Sequence, residues 1–584
     1  MTTASVIPGE PFELQPDQEQ LKAIYLTNTR ERFKAEINRL TRGGMRELIQ
    51  SEPDAEQLAF LMSYLYMYHW LRHNVPDSNY QADLLAAFSR GKQGFLMALL
   101  LKSADASAFI QGYIQHWLDA PPDNTPQQRL ELFQLLASAN HDPKRLSQRV
   151  LSLWNRKGLF TRNYAIAYKE LARDERERYN AMLGSEDRER LALVDALPDP
   201  VSAQPKFNKL GLIPAMGCPQ TCRHCMFIFR PLTKATPEPD ALYQQVSELT
   251  QNVLFTGGDL TRQLDDFYRA IASMKQVTTF AILLNGDFAE SRDQTRQTLE
   301  SMARAIRTRP LHWLRAKVLL QISFDEFHQE VIIDKKGQLK ERIPVRKIAH
   351  IVEAAPRFGE EIQLCLLHKQ HALNFSMDLF HKGVFARLTQ ELGQRGHQVE
   401  VISASQSQRL KRNPLNPEQP APVLKDASFI LKDHPRYPIM LTSSTIDAYG
   451  RATMMDESEA VRERDFLQQV LNGDTTHGES FDKDIMFWFN GWATLFSAVH
   501  MCLGNIYEEG MDKILLRQRK DPLTQALHNF DLRLLDFYRE KAGNLDHIME
   551  RSTGPHHLFN TITEDAGMRL HMTKRLLETH SQLT

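Results

Sequence analysis

Cysteine is scarce in this chain, with five residues in 584. That count, at this length, excludes a disulfide scaffold, which depends on dense thiol pairing in a small secreted domain. Charge of one sign is also lacking. The 71 basic and 72 acidic residues nearly cancel, so there is no basic footprint of a general nucleic-acid binder. Long apolar runs are missing as well. The longest, "GFLMALLLK" at residues 94–102, is about half the ~18 residues that cross a bilayer and reads as a buried helix segment. The first residues, "MTTASVIPGEPFELQPDQEQ", carry no charged stretch followed by an apolar one, so no secretory signal is expected. These absences point to a cytoplasmic chain with no membrane contact. In the reducing cytosol, clustered cysteines bind metal or react.

The composition that remains is ordinary and globular, 42% hydrophobic and 24% charged, and the length suits three to four domains. Residues 1–195 read as helix after helix. "DAEQLAFLMSYLYMYHWLRHNV" carries apolar residues at the helical period. Thr125 and Asp142 stand where N-caps would, each followed by a proline. An all-helical N-terminal domain is expected there, followed by a proline-rich linker over 196–210.

The pattern then changes. Short apolar runs begin at "LGLIPAMG" and continue with "NVLFTGG" (252–258), "TFAILLNG" (279–286), "KVLLQISFD" (317–325), "EIQLCLLH" (361–368) and "QVEVISAS" (398–405). Amphipathic helical segments separate them. Six strands alternating with helices predict an α/β fold with parallel strands, a six-unit partial (β/α) barrel over 211–412. Residues 413–434, with "NPLNPEQPAPVL", read as a second proline-rich linker. Beyond it, 435–584 reads as a mixed α+β, mostly helical C-terminal region. It begins with a hairpin in "YPIMLTSSTIDAYGRATMM" turning at 448–450.

Three of the five cysteines, Cys218, Cys222 and Cys225, fall within eight positions directly after the first strand. Reactive groups in parallel sheets gather at the carboxyl ends of strands, so the placement suits a functional site. Thiolates in such numbers suit zinc or iron–sulfur clusters. A structural zinc site takes four ligands, and His224 is the only further candidate in the loop, but it adjoins Cys225. Three thiolates on a [4Fe–4S] cluster leave one iron open, as a catalytic metal site requires.

"CPQTCRHC" resembles the cysteine signature of the radical S-adenosylmethionine (SAM) enzymes. The resemblance implies a [4Fe–4S] cluster on Cys218, Cys222 and Cys225 whose open iron chelates SAM. It implies reductive cleavage to a 5′-deoxyadenosyl radical that takes hydrogen from a substrate, with an external donor such as flavodoxin or ferredoxin supplying the electron. It also implies SAM contacts. "FTGGD", with Gly257, Gly258 and Asp259, looks like the family's Gly-Gly-Glu motif. "ISFDEFH" is similar to fourth-strand sequences that approach the ribose or carboxylate, through Ser323 and Asp325. His224 stands where an aromatic residue leans on adenine, and Ser403 where the sixth strand would reach it.

"LGNIYEEGMDKIL" (503–515) and the preceding hairpin resemble a SPASM/twitch extension. Its auxiliary-cluster cysteines are missing, save Cys502. That thiol is either a hydrogen donor to a product radical or a small buried hydrophobe. Such extensions imply a peptide or protein side chain as substrate, with a small natural-product intermediate as the other class. The rival reading is a non-catalytic zinc or iron–sulfur protein whose helical domain binds a partner.

Overall fold

The computed structural model describes residues 181–200, 206–220, 222, 224–227, 239–329, 331–333, 339–370, 383–413, 416–446, 452, 460–474 and 478–583. The expected N-terminal helical domain therefore lies outside the described residues, apart from its last helix, α1 (Ser185–Asp195). The hairpin turn at 448–450 lies outside them too.

The chain is α/β with a mostly parallel sheet. Strands β1 (Leu210–Ile213), β2 (Asn252–Phe255), β3 (Thr279–Leu284) and β4 (Lys317–Ser323) come first. A small separate pair follows, β5 (Val331–Ile333) and β6 (Leu339–Glu341). Then come β7 (Ile362–Lys369), β8 (Val399–Asn413), β9 (Asn416–Leu431), β10 (Ile439–Ser444), β11 (Ile485–Trp488), β12 (Trp492–Leu495) and β13 (Cys502–Asn505). Eleven of them form one sheet in the order β13-β12-β11-β1-β2-β3-β4-β7-β10-β9-β8. From β11 through β10 every neighbour is parallel.

Crossover helices make that parallel order possible. They are α2 (Pro239–Leu249), α3 (Leu264–Ser273), α4 (Arg292–Arg307), α5 (Val345–Ala354) and α6 (Gly383–Gln394). Each shows one apolar stripe. In α4, Ser291 caps the first turn by accepting the Gln294 N–H at 3.2 Å, Asp293 stands in the first turn, and Arg304 and Arg307 close the last. Its buried residues, Thr295, Leu299, Met302 and Ala303, recur at helical spacing. In α3, Phe267, Ala270 and Ile271 are buried against the sheet. A fully buried phenylalanine of this kind stabilises by about 2–3 kcal/mol. β1 is buried at all four residues, as a parallel strand covered on both faces must be.

Three expectations are corrected. The sixth strand of the parallel order is β10, not residues 398–405. That run belongs to β8, the antiparallel edge of a long hairpin inserted between α6 and β10. Alternating apolar residues look the same in either strand direction, so the pattern alone could not separate them. The proline-rich stretch from 413 is likewise no break, since β9 runs through it. Its Pro417, Pro420 and Pro422 lie outside the stretch paired with β10, which spans Asp426 to Phe429, so one edge there is free of ladder bonds. The first half of the expected C-terminal hairpin is β10 itself, paired in parallel with β7.

After β13 the described chain is helical, from α8 (Met511–Lys520) to α9 (Ala566–Leu583), after α7 (Arg464–Leu471) earlier in the chain. α1 packs on this region through ion pairs, two of them buried and the third partly so. Arg190 meets Asp521 at 2.7 Å, Arg569 meets Asp187 at 2.8 Å, and Arg517 meets Asp195 at 2.7 Å. No described helix is long and apolar enough to cross a membrane.

Candidate functional site

The cysteine loop leaves the carboxyl end of β1. Cys222 and Cys225 are buried and Cys218 is partly exposed. The Cys225 N–H donates to the Cys222 carbonyl at 3.2 Å, which turns the loop back on itself. Phe227 beyond it meets Trp488 of β11 edge-on at 6.3 Å.

Four neighbouring loops hold this one. After β2, the Gly258 N–H donates to the Ala215 carbonyl at 3.3 Å and the Asp259 N–H to the Gly217 carbonyl at 2.7 Å. After β3, Asp287 accepts from the Gln220 side chain at 3.1 Å and is itself held by Lys347 at 2.7 Å. After β4, the Asp325 carboxylate faces His224 at 3.8 Å. After β10, the Ala452 N–H donates to the Cys225 carbonyl at 3.2 Å. All four loops lie at the carboxyl ends of parallel strands, where the topology gathers them.

Gly257 and Gly258 are explained by this stitching. Gly257 adopts φ +126°, and a Cβ on it would lie 2.6 Å from the Ala215 carbonyl oxygen. A Cβ on Gly258 would lie 2.0 Å from the Gly217 oxygen. Asp259 caps the 3-10 turn Leu260–Gln263. One carboxylate oxygen accepts from the Thr261 N–H at 3.2 Å and the Thr261 hydroxyl at 2.7 Å.

Ser323 is partly buried at the last position of β4. Asp325 is 1% exposed and heavily used. It accepts the N–H groups of Phe327 and His328 at 3.0 and 2.9 Å, and lies 2.9–3.0 Å from His328 Nδ1. Burial alone would raise this carboxyl, but His328 and His224 outweigh it and hold the group well below the usual carboxylate range. Burial would likewise lower His328. Asp325 and a hydrogen bond with Cys222 prevail and push it up to about 10. His224 stacks on Phe327 at a centroid distance of 4.7 Å and meets the His328 ring edge-on at 4.8 Å. Phe327 in turn packs with Ile446 and Ala452, which joins the β4 and β10 loops over the cysteines.

Ser403 does not reach this place. It is exposed on the antiparallel edge strand β8, and the serines at the end of the sixth parallel strand are Ser443 and Ser444. Cys502 is 1% exposed in β13, and burial pushes its thiol up to about 12. It packs in one apolar cluster with Cys225, Phe227, Met486 and Trp488. That is the surrounding of a small buried hydrophobe.

Several polar residues of the mouth escaped the sequence reading. His328 was visible three positions after Asp325, but nothing in the spacing marks its role. His368, Gln370 and Ser443 form a buried hydrogen-bonded set where β7 and β10 end, with Lys411 Nζ donating to Gln370 Oε1 at 3.3 Å. Their only signal was a polar tail, "HKQ", on an apolar strand. Of these, Ser443 and Lys411 line a cavity of about 1040 Å³ between the β8–β9 hairpin, the end of β10 and α7. Thr445 lines it, one residue from Ile446 and so from the Phe327–His224 stack.

No protein-family model matches the chain, and no curated protein matches it. Among solved structures, it is similar to Streptococcus suis SuiB bound to the precursor peptide SuiA, with 18% identity and a TM-score of 0.21 over 32% of this chain and 37% of that one. It is also similar to native anSMEcpe with bound AdoMet and Cp18Cys peptide, with 11% identity and a TM-score of 0.33 over 64% of this chain and 99% of that one. The match thus spans little more than a third of SuiB. At these TM-scores the likeness decides nothing about function, which has to be argued from the residues.

Proposed function

We propose that this chain is a radical SAM enzyme, with Cys218, Cys222 and Cys225 as the ligands of a [4Fe–4S] cluster. The observation that carries the reading is the three-cysteine loop at the carboxyl end of β1, with Gly257 and Gly258 packed on its first residues. The donor set fits. The two remaining cysteines sit apart in β7 and β13, so a three-thiolate cluster with one open iron is the arrangement the chain can build. Among the described residues, His224, Asp325 and His328 bring their ligand atoms within 4.8 Å of one another beside this loop.

When bound, the cluster and SAM supply a one-electron cleavage that yields a 5′-deoxyadenosyl radical able to take hydrogen from a substrate. The chain's own part is to hold and to shield. Gly257 and Gly258 let the β2 loop backbone approach the cysteine loop, Asp325 and Asp287 hold its far side through His224 and Gln220, and Ser323 ends β4. Phe327, Ile446 and Ala452 cover the loop with apolar surface, which keeps water from a reactive radical. The polar cavity beside them suits a peptide or protein side chain, the substrate class we favour over a small natural-product intermediate. An external one-electron donor such as flavodoxin or ferredoxin is needed, since the chain has no second set of thiolates. The β11–β13 meander running into α8 is read as a SPASM-like extension without clusters.

The test is anaerobic reconstitution with iron and sulfide, reduction in the presence of SAM, and assay for 5′-deoxyadenosine, in wild type and Cys222→Ala. Deoxyadenosine from wild type alone supports the reading. A colourless protein with one zinc per chain on these thiols removes it.

A further inference from the structure

We propose that His224, Asp325 and His328 form a second metal site, for one divalent first-row transition ion, beside the cysteine loop. The proposal does not depend on the radical chemistry.

The three side chains come from two loops, yet their ligating atoms all lie within 4.8 Å of one another. Asp325 Oδ2 stands 3.0 Å from His328 Nδ1 and 3.8 Å from His224 Nε2. Bonds of about 2.0–2.2 Å to a single ion place neighbouring donor atoms about 3–4 Å apart, so little movement is needed.

The donors are also held in place. Asp325 Oδ1 accepts two backbone N–H groups, which fixes the carboxylate plane; both oxygens lie within 3.0 Å of His328 Nδ1, and Oδ2 is the one toward His224. The Phe327 ring fixes the plane of His224. Outer partners of this kind orient the ligands of metal sites. The side chains are 9%, 1% and 13% exposed, so the two rings, not the carboxylate, face the route of entry.

Two imidazoles and one carboxylate suit zinc or ferrous iron, and too few oxygens are present for calcium or magnesium. Binding replaces the ring protons that face Asp325, and these leave to solvent. The ion clips the β4 loop to the cysteine loop and keeps open coordination positions on the mouth side. The competing account is a salt-linked trio without metal.

The experiment uses the full chain with Cys218, Cys222 and Cys225 all changed to Ala, so no cluster forms, and Co²⁺ as the probe. We expect about one cobalt per chain, with visible ligand-field bands and no thiolate charge transfer. Asp325→Asn and His328→Gln in that background each weaken cobalt binding at least tenfold while circular dichroism stays unchanged. No cobalt bound, or binding indifferent to Asp325→Asn, overturns the site. If the triple variant does not fold, elemental analysis of reconstituted wild type after zinc exposure decides. One zinc that Asp325→Asn loses while cluster iron stays supports the site, and zinc absent from the wild type refutes it. Loss of iron with zinc retained would fault the cluster reading and leave this one standing.

Discussion

The carbonyl oxygen of Gly217 lies 2.0 Å from where a Cβ on Gly258 would be. The obstacle is backbone and cannot rotate away, so Gly258→Ala must push the β2 loop off the start of the cysteine loop. We expect a loss of about 1–3 kcal/mol, in the range of overpacked sites, and poorer iron retention, because Gly217 directly precedes Cys218. Gly393→Ala is the control. It is exposed in α6 with nothing within 4 Å, and should gain about 0.5–1 kcal/mol. Urea melts and iron content check both. A Gly258→Ala protein with a wild-type melt and full iron would show that the contact matters to neither.

Arg190 and Asp521 are both fully buried and 2.7 Å apart. Asp521 also accepts from the Leu523 N–H and the Thr524 hydroxyl at the start of a helix. Asp521→Ala removes the nearer of the two carboxylates on Arg190, leaving Asp187 at 3.6 Å, and should cost about 3 kcal/mol, the lower end for a broken buried pair. Lys574 of α9 and Glu189 of α1 also pair, but are half exposed. Lys574→Ala should change stability by less than about 1 kcal/mol. Thermal melts of the two variants separate the cases, and equal losses would mean that burial is not what gives the first pair its weight.

These contacts also show what sequence can and cannot carry. The cysteine loop was legible because its spacing is local, and β1 to β4 and β7 because apolar runs alternate with amphipathic helices; the short pair β5 and β6 was not. Gly257 and Gly258 stood out as a pair, though not the backbone that demands them. β8 was taken for the sixth strand because strand direction leaves no mark on a period of two. The pairing of β11 with β1 joins residues over 270 positions apart, and no local pattern encodes it. Asp325 and His224 were singled out as separate contacts to SAM. That they face each other, with His328 completing the group, follows only from how the strands bring two loops together.

Cys365 and Cys502 should be chemically silent. Burial pushes both thiols up, Cys502 to about 12, so little thiolate exists at neutral pH and little reagent reaches it. Iodoacetamide at pH 7.5 on the folded, cluster-free protein should leave both unmodified and label Cys218 first, since it alone is partly exposed. Peptide mapping reads the sites. In urea all five should react. Rapid labelling of Cys502 in the folded chain would restore it as a candidate hydrogen donor.

Asp484 sits just before β11, and burial, with Asp482 beside it, pushes its carboxyl up to about 6. Its Oδ2 accepts the Lys209 N–H at 3.2 Å, next to the first residue of β1. A carboxyl raised in the folded state holds its proton more tightly there than in the unfolded chain. Its contribution is therefore fully present below about pH 3.8 and is lost as the pH rises through about 6. Asp484→Asn keeps an acceptor for Lys209 but cannot ionise. Near pH 4 the variant and wild type should melt alike, and above pH 6 the variant should be the more stable, on the order of 1 kcal/mol once partial exposure is allowed for. Melting curves across pH 4 to 8 test this. If the variant is instead less stable at pH 8, the ionised carboxylate is supporting the N-terminal end of β1. Burial would then not be the dominant influence on Asp484.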